Sequence, residues 1–178
     1  YLGLFEKGDK IMKRITVGVL FGGCSTEYEV SLQSAYSVIT HMDPLKYEKV
    51  LIGITREGNW MRYYGSPERI ADNTWHKDWD HCTPAFISGD RGSRKIYELD
   101  GVAIKETVVD VCFPILHGKN GEDGTVQGLL ELAGIPFVGC GTLSSALCMD
   151  KDKAHKLVDL AGIRVPNSVV LVKGRERE

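Results

Sequence analysis

A chain of 178 residues with 43% hydrophobic side chains has room for one domain and the start of another, and it can bury a core of ordinary size. Its 22 lysines and arginines nearly balance 24 aspartates and glutamates, without a basic stripe, which excludes the charge pattern typical of binding to nucleic acid or to an anionic membrane. Nothing approaches the roughly 18 consecutive apolar residues of a membrane span, so we expect no nucleic-acid or membrane partner and a cytoplasmic location.

The five cysteines are odd in number and lack the C-x-x-C spacing of a zinc site. Cys24 lies in a glycine turn, whereas the other four lie mostly in apolar segments, at positions 82, 112, 140 and 148. This pattern predicts reduced and mostly buried thiols rather than disulfides or a metal centre.

Residues 1–11 precede the first predicted strand. Tyr1 is not a translational start, and Met12 comes directly before the first apolar run. We therefore interpret residues 1–11 as an upstream extension or an expression remnant.

The first βα unit starts with an uninterrupted β-prone run over residues 15–21. A helix through about residue 39 follows, and the capping-box pair Thr26 and Glu29 predicts its start near Glu27. The residues expected to face the sheet at helical spacing are Val30, Ser34, Ser37 and Val38.

The turn inside this unit, over residues 22–26, has two adjacent glycines and lacks the GxGxxG spacing of a dinucleotide-binding loop. It leads to Glu27, which places a carboxylate at the helix start. Two interpretations stay open from the residues alone: Glu27 binds a ligand at the edge of the sheet, or it only complements the helix dipole.

The middle of the chain predicts a second strand over residues 47–55 and a hairpin-like turn over residues 56–59 into residues 60–64. The region up to residue 100 is irregular, with a short helix from Pro67 and strand-like segments at residues 84–88 and 95–99. The aromatic and histidine residues of this region lack regular metal-ligand spacing, so we interpret them as core or surface residues; they are Trp75, His76, Trp79 and His81.

The most informative stretch is the apolar run over residues 108–116, which predicts a central strand buried on both faces and ends at His117. Ligands of open α/β sheets bind at the carboxyl ends of such strands. The loop that follows contains three glycines, Gly118, Gly121 and Gly124, and two carboxylate side chains, Glu122 and Asp123. Each has a plain explanation in turn geometry or helix-dipole compensation, but together with His117 they favour a functional loop.

The last third predicts a helix over residues 125–133 that ends in Gly134, followed by a short strand at residues 137–139 and helices at 142–148 and 150–160. Gly162 repeats the helix stop, and a strand begins at residues 169–172. The complete pattern indicates an α/β fold with an open, mostly parallel sheet flanked by helices, similar to a Rossmann domain.

Three ordered motifs resemble the D-alanine:D-alanine ligase family of ATP-grasp enzymes. Residues 22–32 resemble its first motif, residues 117–125 its second, and residues 149–151 the entry to its central domain. Tyr28 stands where the common family members have arginine, and the adjoining residues 29–35 are more similar to the vancomycin-resistance D-alanine:D-serine ligases. The second substrate is therefore open between D-alanine and D-serine.

The resemblance implies that ATP phosphorylates the carboxylate of one D-alanine. The amine of a second D-amino acid then attacks this acyl phosphate and displaces phosphate, which gives a dipeptide for peptidoglycan. By the same resemblance, Glu27 holds the ammonium of the first D-alanine, Val30 lines its methyl pocket and His117 orients its carboxylate. Glu122 supports His117, and Lys151 reaches the phosphates of ATP. A lysine in a first helical turn opposes the dipole unless an anion binds there, although an ordinary solvated lysine remains the alternative.

The resemblance also divides the chain into a pre-ATP-grasp substrate-binding domain over residues 12–148 and the start of the ATP-grasp central domain over residues 149–178. It places the ATP-covering loop and the Mg²⁺ ligands beyond Glu178, so we expect this fragment to be inactive and to hold neither ATP nor Mg²⁺ by itself. A homodimer is implied as well. Two other hypotheses stay open, a non-catalytic dimerisation domain and a dinucleotide-binding module of an oxidoreductase.

Overall fold

The computed structural model describes residues 13–171 and residue 174, so the predicted extension at residues 1–11 lies outside the described residues. The strands are β1 (Ile15–Gly22), β2 (Tyr47–Ile54), β3 (Trp60–Tyr63), β4 (Cys82–Ile87), β5 (Lys95–Asp100), β6 (Ala103–Val108) and β7 (Val111–Pro114). The helices are α1 (Tyr28–His41), α2 (Pro67–Ala71), α3 (Thr125–Ala133), α4 (Thr142–Met149) and α5 (Lys151–Leu160), with single 3-10 turns at Trp75–Lys77 and Trp79–His81.

The strands form one open sheet in the order β6-β5-β4-β3-β2-β1-β7, with helices packed on it, which confirms the predicted α/β class. The sheet is mixed. Strand β1 is parallel to β2 and β7, whereas β2 through β6 pair with one another as antiparallel neighbours. Connection length explains the division, because α1 carries the chain back between β1 and β2, while a turn at residues 101–102 leaves only an antiparallel return from β5 to β6.

The predicted strand over residues 108–116 is wrong in extent and position. Strand β6 ends at Val108, and β7 begins only at Val111. Between them, Asp110 exchanges hydrogen bonds with Thr16: the Asp110 N–H donates to the Thr16 carbonyl at 2.9 Å, and the Thr16 N–H donates to Asp110 Oδ2 at 2.8 Å. Strand β7 is therefore separate from β6. It pairs in parallel with β1 and is the last strand in the order of the sheet, rather than a central one.

The chain beyond β7 agrees with the sequence in its helices more than in its strands. Helix α3 has the predicted bounds, and Gly134 and Gly162 both adopt the left-handed conformation expected of helix stops, with φ of 67° and 79°. The short strand predicted at residues 137–139 is reduced to a single parallel bridge between Phe137 and Cys112. Residues 169–171 form no strand, and Val172 lies outside the described residues.

The predicted inward face of α1 is wrong for Val30 and Ser37, which are exposed because the helix is rotated from that expectation, whereas Val38 packs against the core as predicted. Val30 is 51% exposed, and the buried residues of α1 are Tyr28, Ser31, Leu32, Ala35 and Ile39. The predicted capping box does not form either: α1 begins at Tyr28 without a side-chain cap, and Glu29 pairs instead with Arg56 of the turn after β2. A tertiary partner has therefore outcompeted the local one.

Two hydrophobic clusters cover the two faces of the sheet. One lies under α3 and includes Leu20, Ile52 and Leu130; the other lies under α1 and includes Phe21, Leu32 and Trp75. All five cysteines are free, as predicted, but the expectation of burial is wrong for Cys140 and Cys148, which are exposed. In the described part of the chain, no helix combines the length and apolar character needed to cross a bilayer.

Candidate functional site

The candidate site lies where β1 and β7 end, and the hydroxyls of two serines join the two strand ends. Ser31 of α1 donates a hydrogen bond to the Ile115 carbonyl and accepts one from the Gly22 N–H at 2.8 Å. Ser25 donates to the His117 carbonyl at 2.7 Å. The loop after β1 and the loop after β7 are thereby fixed side by side, as expected for the carboxyl ends of neighbouring parallel strands.

Three predicted site residues meet at this junction. Glu27, His117 and Glu122 each contribute one potential ligand atom, and these atoms lie within 4.8 Å of one another. His117 is half-buried, with its Nε2 3.2 Å from the Ser34 hydroxyl, whereas both carboxylates are exposed. The cluster thus presents two negative charges and one imidazole to solvent at the edge of the sheet.

The loop after β7 is held in shape by its own acidic side chains. Glu122 Oε2 accepts a hydrogen bond from the Gly118 N–H at 2.7 Å. The structure of the described residues shows no hydrogen bond between the Glu122 carboxylate and the His117 ring. Asp123 accepts from the N–H groups of Asn120 at 2.8 Å and Thr125 at 3.1 Å. Burial raises the pKa of the Asp123 carboxyl, but these backbone hydrogen bonds outweigh it and hold the pKa below its usual range.

A cleft of about 490 Å³ opens beside the cluster. Its lining includes Ser34, His117, Glu122 and Lys151. Lys151 is the first residue of α5, and its ammonium group donates to the Cys148 carbonyl at 2.9 Å. Val30 does not line this cleft, although it lies one helical turn after Glu27 on the exposed side of α1.

The three clustered side chains have the chemistry of a cation site. Two carboxylates and an imidazole attract an organic ammonium group or a transition-metal ion, while Mg²⁺ prefers a shell of oxygen atoms. Among the described residues, no second group of three His, Cys, Asp or Glu side chains comes this close together. The described residues therefore gather a site suited to an amino group, and the donor set of this cluster does not match the oxygen shell of Mg²⁺.

Several residues that support the site were not singled out from the sequence as site residues. Ser25, Ser31 and Ser34 fix the two loops, and their signal was the repeated serine spacing around the start of α1. Gln127 is buried in α3, where its amide donates to the Gly121 carbonyl at 2.8 Å. Its signal was a polar side chain on an apolar helix face.

The chain is similar to known proteins over this same region. A family model described as the D-ala D-ala ligase N-terminus matches residues 16–140. A D-alanine–D-alanine ligase of Caldicellulosiruptor bescii is 49% identical over 162 residues, which cover 91% of this chain and 43% of the relative. The vancomycin C-type resistance protein VanC1 of Enterococcus gallinarum is 45% identical over 90% of this chain and 44% of the relative.

Solved structures show the same relationship. The VanG D-Ala:D-Ser ligase from Enterococcus faecalis is 54% identical, with a TM-score of 0.81 over 87% of this chain and 44% of that one. The D-alanine-D-alanine ligase from Coxiella burnetii is 34% identical, with a TM-score of 0.76 over 86% of this chain and 43% of that one. The chain spans less than half the length of these relatives. The match of the amino-terminal family model over most of the described residues shows that the chain belongs to the D-alanine–D-alanine ligase family.

Proposed function

We propose that this chain is the amino-terminal, substrate-binding half of an ATP-dependent ligase that joins D-alanine to D-alanine or D-serine for peptidoglycan precursor synthesis. The observation that carries the proposal is the meeting of Glu27, His117 and Glu122 at the ends of two parallel strands, beside an open cleft. Similarity to ligases of both substrate types supports it. Membership of a ligase family argues against the dinucleotide-binding hypothesis.

The first D-alanine is a zwitterion, and the cluster offers a group for each of its charges. The free carboxylate of Glu27 is suited to the ammonium group, because no side-chain hydrogen bond or ion pair engages it within the described residues. The imidazole of His117, held near the Ser34 hydroxyl, is suited to donate to the substrate carboxylate. Val30 lies in the first turn of α1, three residues after Glu27, and its exposed side chain is suited to the methyl group.

The remaining site residues act around this pair. Glu122 shapes the loop through the Gly118 N–H and adds negative charge beside the ammonium position. Lys151 brings an ammonium group to the same cleft, where a phosphate group of ATP is a fitting counter-ion. ATP supplies the phosphoryl group that activates the substrate carboxylate, and the residues of this chain bind and orient that carboxylate.

The described residues do not fit Mg²⁺, since the one three-residue cluster contains a histidine and is proposed for the amino group. We propose that the ATP-covering loop and the Mg²⁺ ligands lie in the part of the full-length relatives that this chain does not span. The same reasoning divides the chain into a substrate-binding domain over residues 12–148 and the start of a central domain over residues 149–178, and it predicts that the chain alone is inactive. A homodimer and a cytoplasmic location are further predictions of this proposal.

The test is D-alanine-dependent phosphate release by the full-length ligase, with D-alanine or D-serine as second substrate and the product identified by mass spectrometry. Glu27→Gln should raise the KM for the first D-alanine about tenfold, since it removes the charged partner of the ammonium. Glu48→Gln, at an exposed carboxylate near the opposite end of the sheet, is the control and should change neither KM nor kcat. Phosphate release that is independent of D-amino acids would refute the proposal.

A further inference from the structure

The turn between β2 and β3 lies against the loop that carries Glu27. The Gly23 N–H donates to the Ile54 carbonyl at 2.8 Å, which joins the loop after β1 to the last residue of β2. The turn itself is closed by a hydrogen bond from the Thr55 N–H to the Asn59 carbonyl at 2.9 Å. Arg56 is therefore presented from a well-anchored turn next to the first turn of α1.

Arg56 contacts the two residues that directly follow Glu27. Its guanidinium carbon lies 4.3 Å from the centre of the Tyr28 ring, within the range of a cation–π contact. Its Nη2 also forms an ion pair with Glu29. One side chain thus links the turn after β2 to the beginning of α1 through two different kinds of interaction.

Tyr28 is a firm base for this contact. It is buried, and its hydroxyl accepts a hydrogen bond from the Trp75 indole N–H at 3.0 Å. Trp75 is itself fully buried and lies so close to Gly53 that a Cβ there would come within 2.3 Å of its ring. Because Tyr28 cannot shift easily, the Arg56 guanidinium stacked on it closes the outer side of the first helical turn.

Glu27 lacks a comparable anchor of its own. Its backbone N–H donates to the Ser25 hydroxyl at 3.0 Å, but its exposed carboxylate has no bonding partner in residues 13–171. The direction of this carboxylate toward His117 depends on the backbone on either side of it. Ser25 fixes the preceding side, and the contacts of Arg56 with Tyr28 and Glu29 fix the following side.

We propose that Arg56 is a positioning residue for the first-substrate site, which keeps Glu27 beside His117 by holding residues 28 and 29 against the turn after β2. This inference rests on the proposed function. It assigns to Arg56 an effect on the use of the first D-amino acid, with no contact to the substrate and no effect on ATP.

Steady-state kinetics of the full-length ligase test this assignment. Arg56→Met should raise the KM for the first D-alanine about fivefold, the size expected from losing one cation–π contact and one exposed ion pair, with the KM for ATP unchanged. Arg56→Lys keeps the charge without the planar stack and should give a smaller increase. In the double variant with Glu27→Gln, the Arg56→Met substitution should add nothing, because the carboxylate that it positions is gone.

Arg14→Met is a matched control, since Arg14 also forms an ion pair between two segments of the chain. The Arg14 and Glu48 side chains are 48% and 56% exposed, against 45% and 59% for Arg56 and Glu29, but they lie at the amino ends of β1 and β2. The control should leave both KM values unchanged. If Arg56→Met leaves the KM for D-alanine unchanged, or raises the KM for ATP equally, the inference about Arg56 is overturned. The proposed function still stands in that case, provided that Glu27→Gln raises the KM for D-alanine. An unaffected Glu27→Gln would overturn both.

Discussion

Replacing Ser31 with alanine should destabilise the protein far more than a serine-to-alanine change usually does. The Ser31 hydroxyl is fully buried and links the end of β1 to the end of β7 through Gly22 and Ile115. Alanine removes the oxygen and leaves a buried N–H and a buried carbonyl without this partner. Each unsatisfied group costs about 1–3 kcal/mol, so we expect a loss of roughly 2–6 kcal/mol in the free energy of unfolding.

Urea unfolding of the 178-residue chain, followed by circular dichroism, measures this loss. Ser37→Ala is the matched control, because Ser37 is on the same helix but exposed, and alanine there should change stability by less than about 0.5 kcal/mol. In thermal unfolding, Ser31→Ala should lower Tm by roughly 4–24 °C. If Ser31→Ala and Ser37→Ala unfold at the same urea concentration, the hydroxyl does not join the strand ends.

Three further outcomes follow from the site. Glu27→Gln and His117→Ala should each weaken the use of the first D-alanine about tenfold in the full-length ligase, with the double variant less impaired than the two losses added; strict additivity in the kinetics would show that they share no substrate. Lys151→Ala should raise the KM for ATP more than that for D-alanine, and equal effects on both would indicate a structural lysine. Burial raises the pKa of the Cys112 thiol to about 12, so at pH 8 a thiol reagent should label the exposed Cys140 and leave Cys112 unmodified in the folded chain; rapid loss of the Cys112 thiol would contradict its burial.

Local sequence signals predicted those elements whose boundaries are set by local chemistry. The bounds of α3 were correct, since Gly134 in the left-handed conformation ends the helix wherever the chain lies in the fold. The turn after β2 was also correct, because Gly58 has a positive φ of 96° that suits a tight turn. Such features depend on a few residues that are adjacent in the sequence, so a local pattern is enough to predict them.

Three of the incorrect predictions involve partners that are distant in the sequence. The apolar run over residues 108–116 was divided by the pairing of Asp110 with Thr16, which no local pattern records. The capping box failed because Glu29 meets Arg56, 27 residues away. The rotation of α1 has the same origin, since Tyr28 is drawn into the core by Trp75.

The juxtaposition of Glu27 and His117 was predictable from topology alone, but the groups that fix it were not. Both residues follow strand ends, and parallel neighbours bring their ends to one edge. The hydroxyls of Ser25 and Ser31 lock the loops together by donating to backbone carbonyls 92 and 84 residues away, and the serine spacing does not indicate those partners. The meeting of candidate site residues at one edge can therefore be predicted from the sequence before their supporting contacts are known.

The mixed character of the sheet has a consequence for the site itself. Strand β2 is parallel to β1 on one side and antiparallel to β3 on the other. Its carboxyl end consequently lies at the same edge as Glu27, yet the chain can reverse there in a tight turn. A parallel β3 would need a long crossover leaving that corner, with no compact turn to present Arg56 to Tyr28. The antiparallel pairing of β3 with β2 therefore allows a tight turn after β2, and this turn brings Arg56 into contact with Tyr28 at the edge where β1 and β7 end.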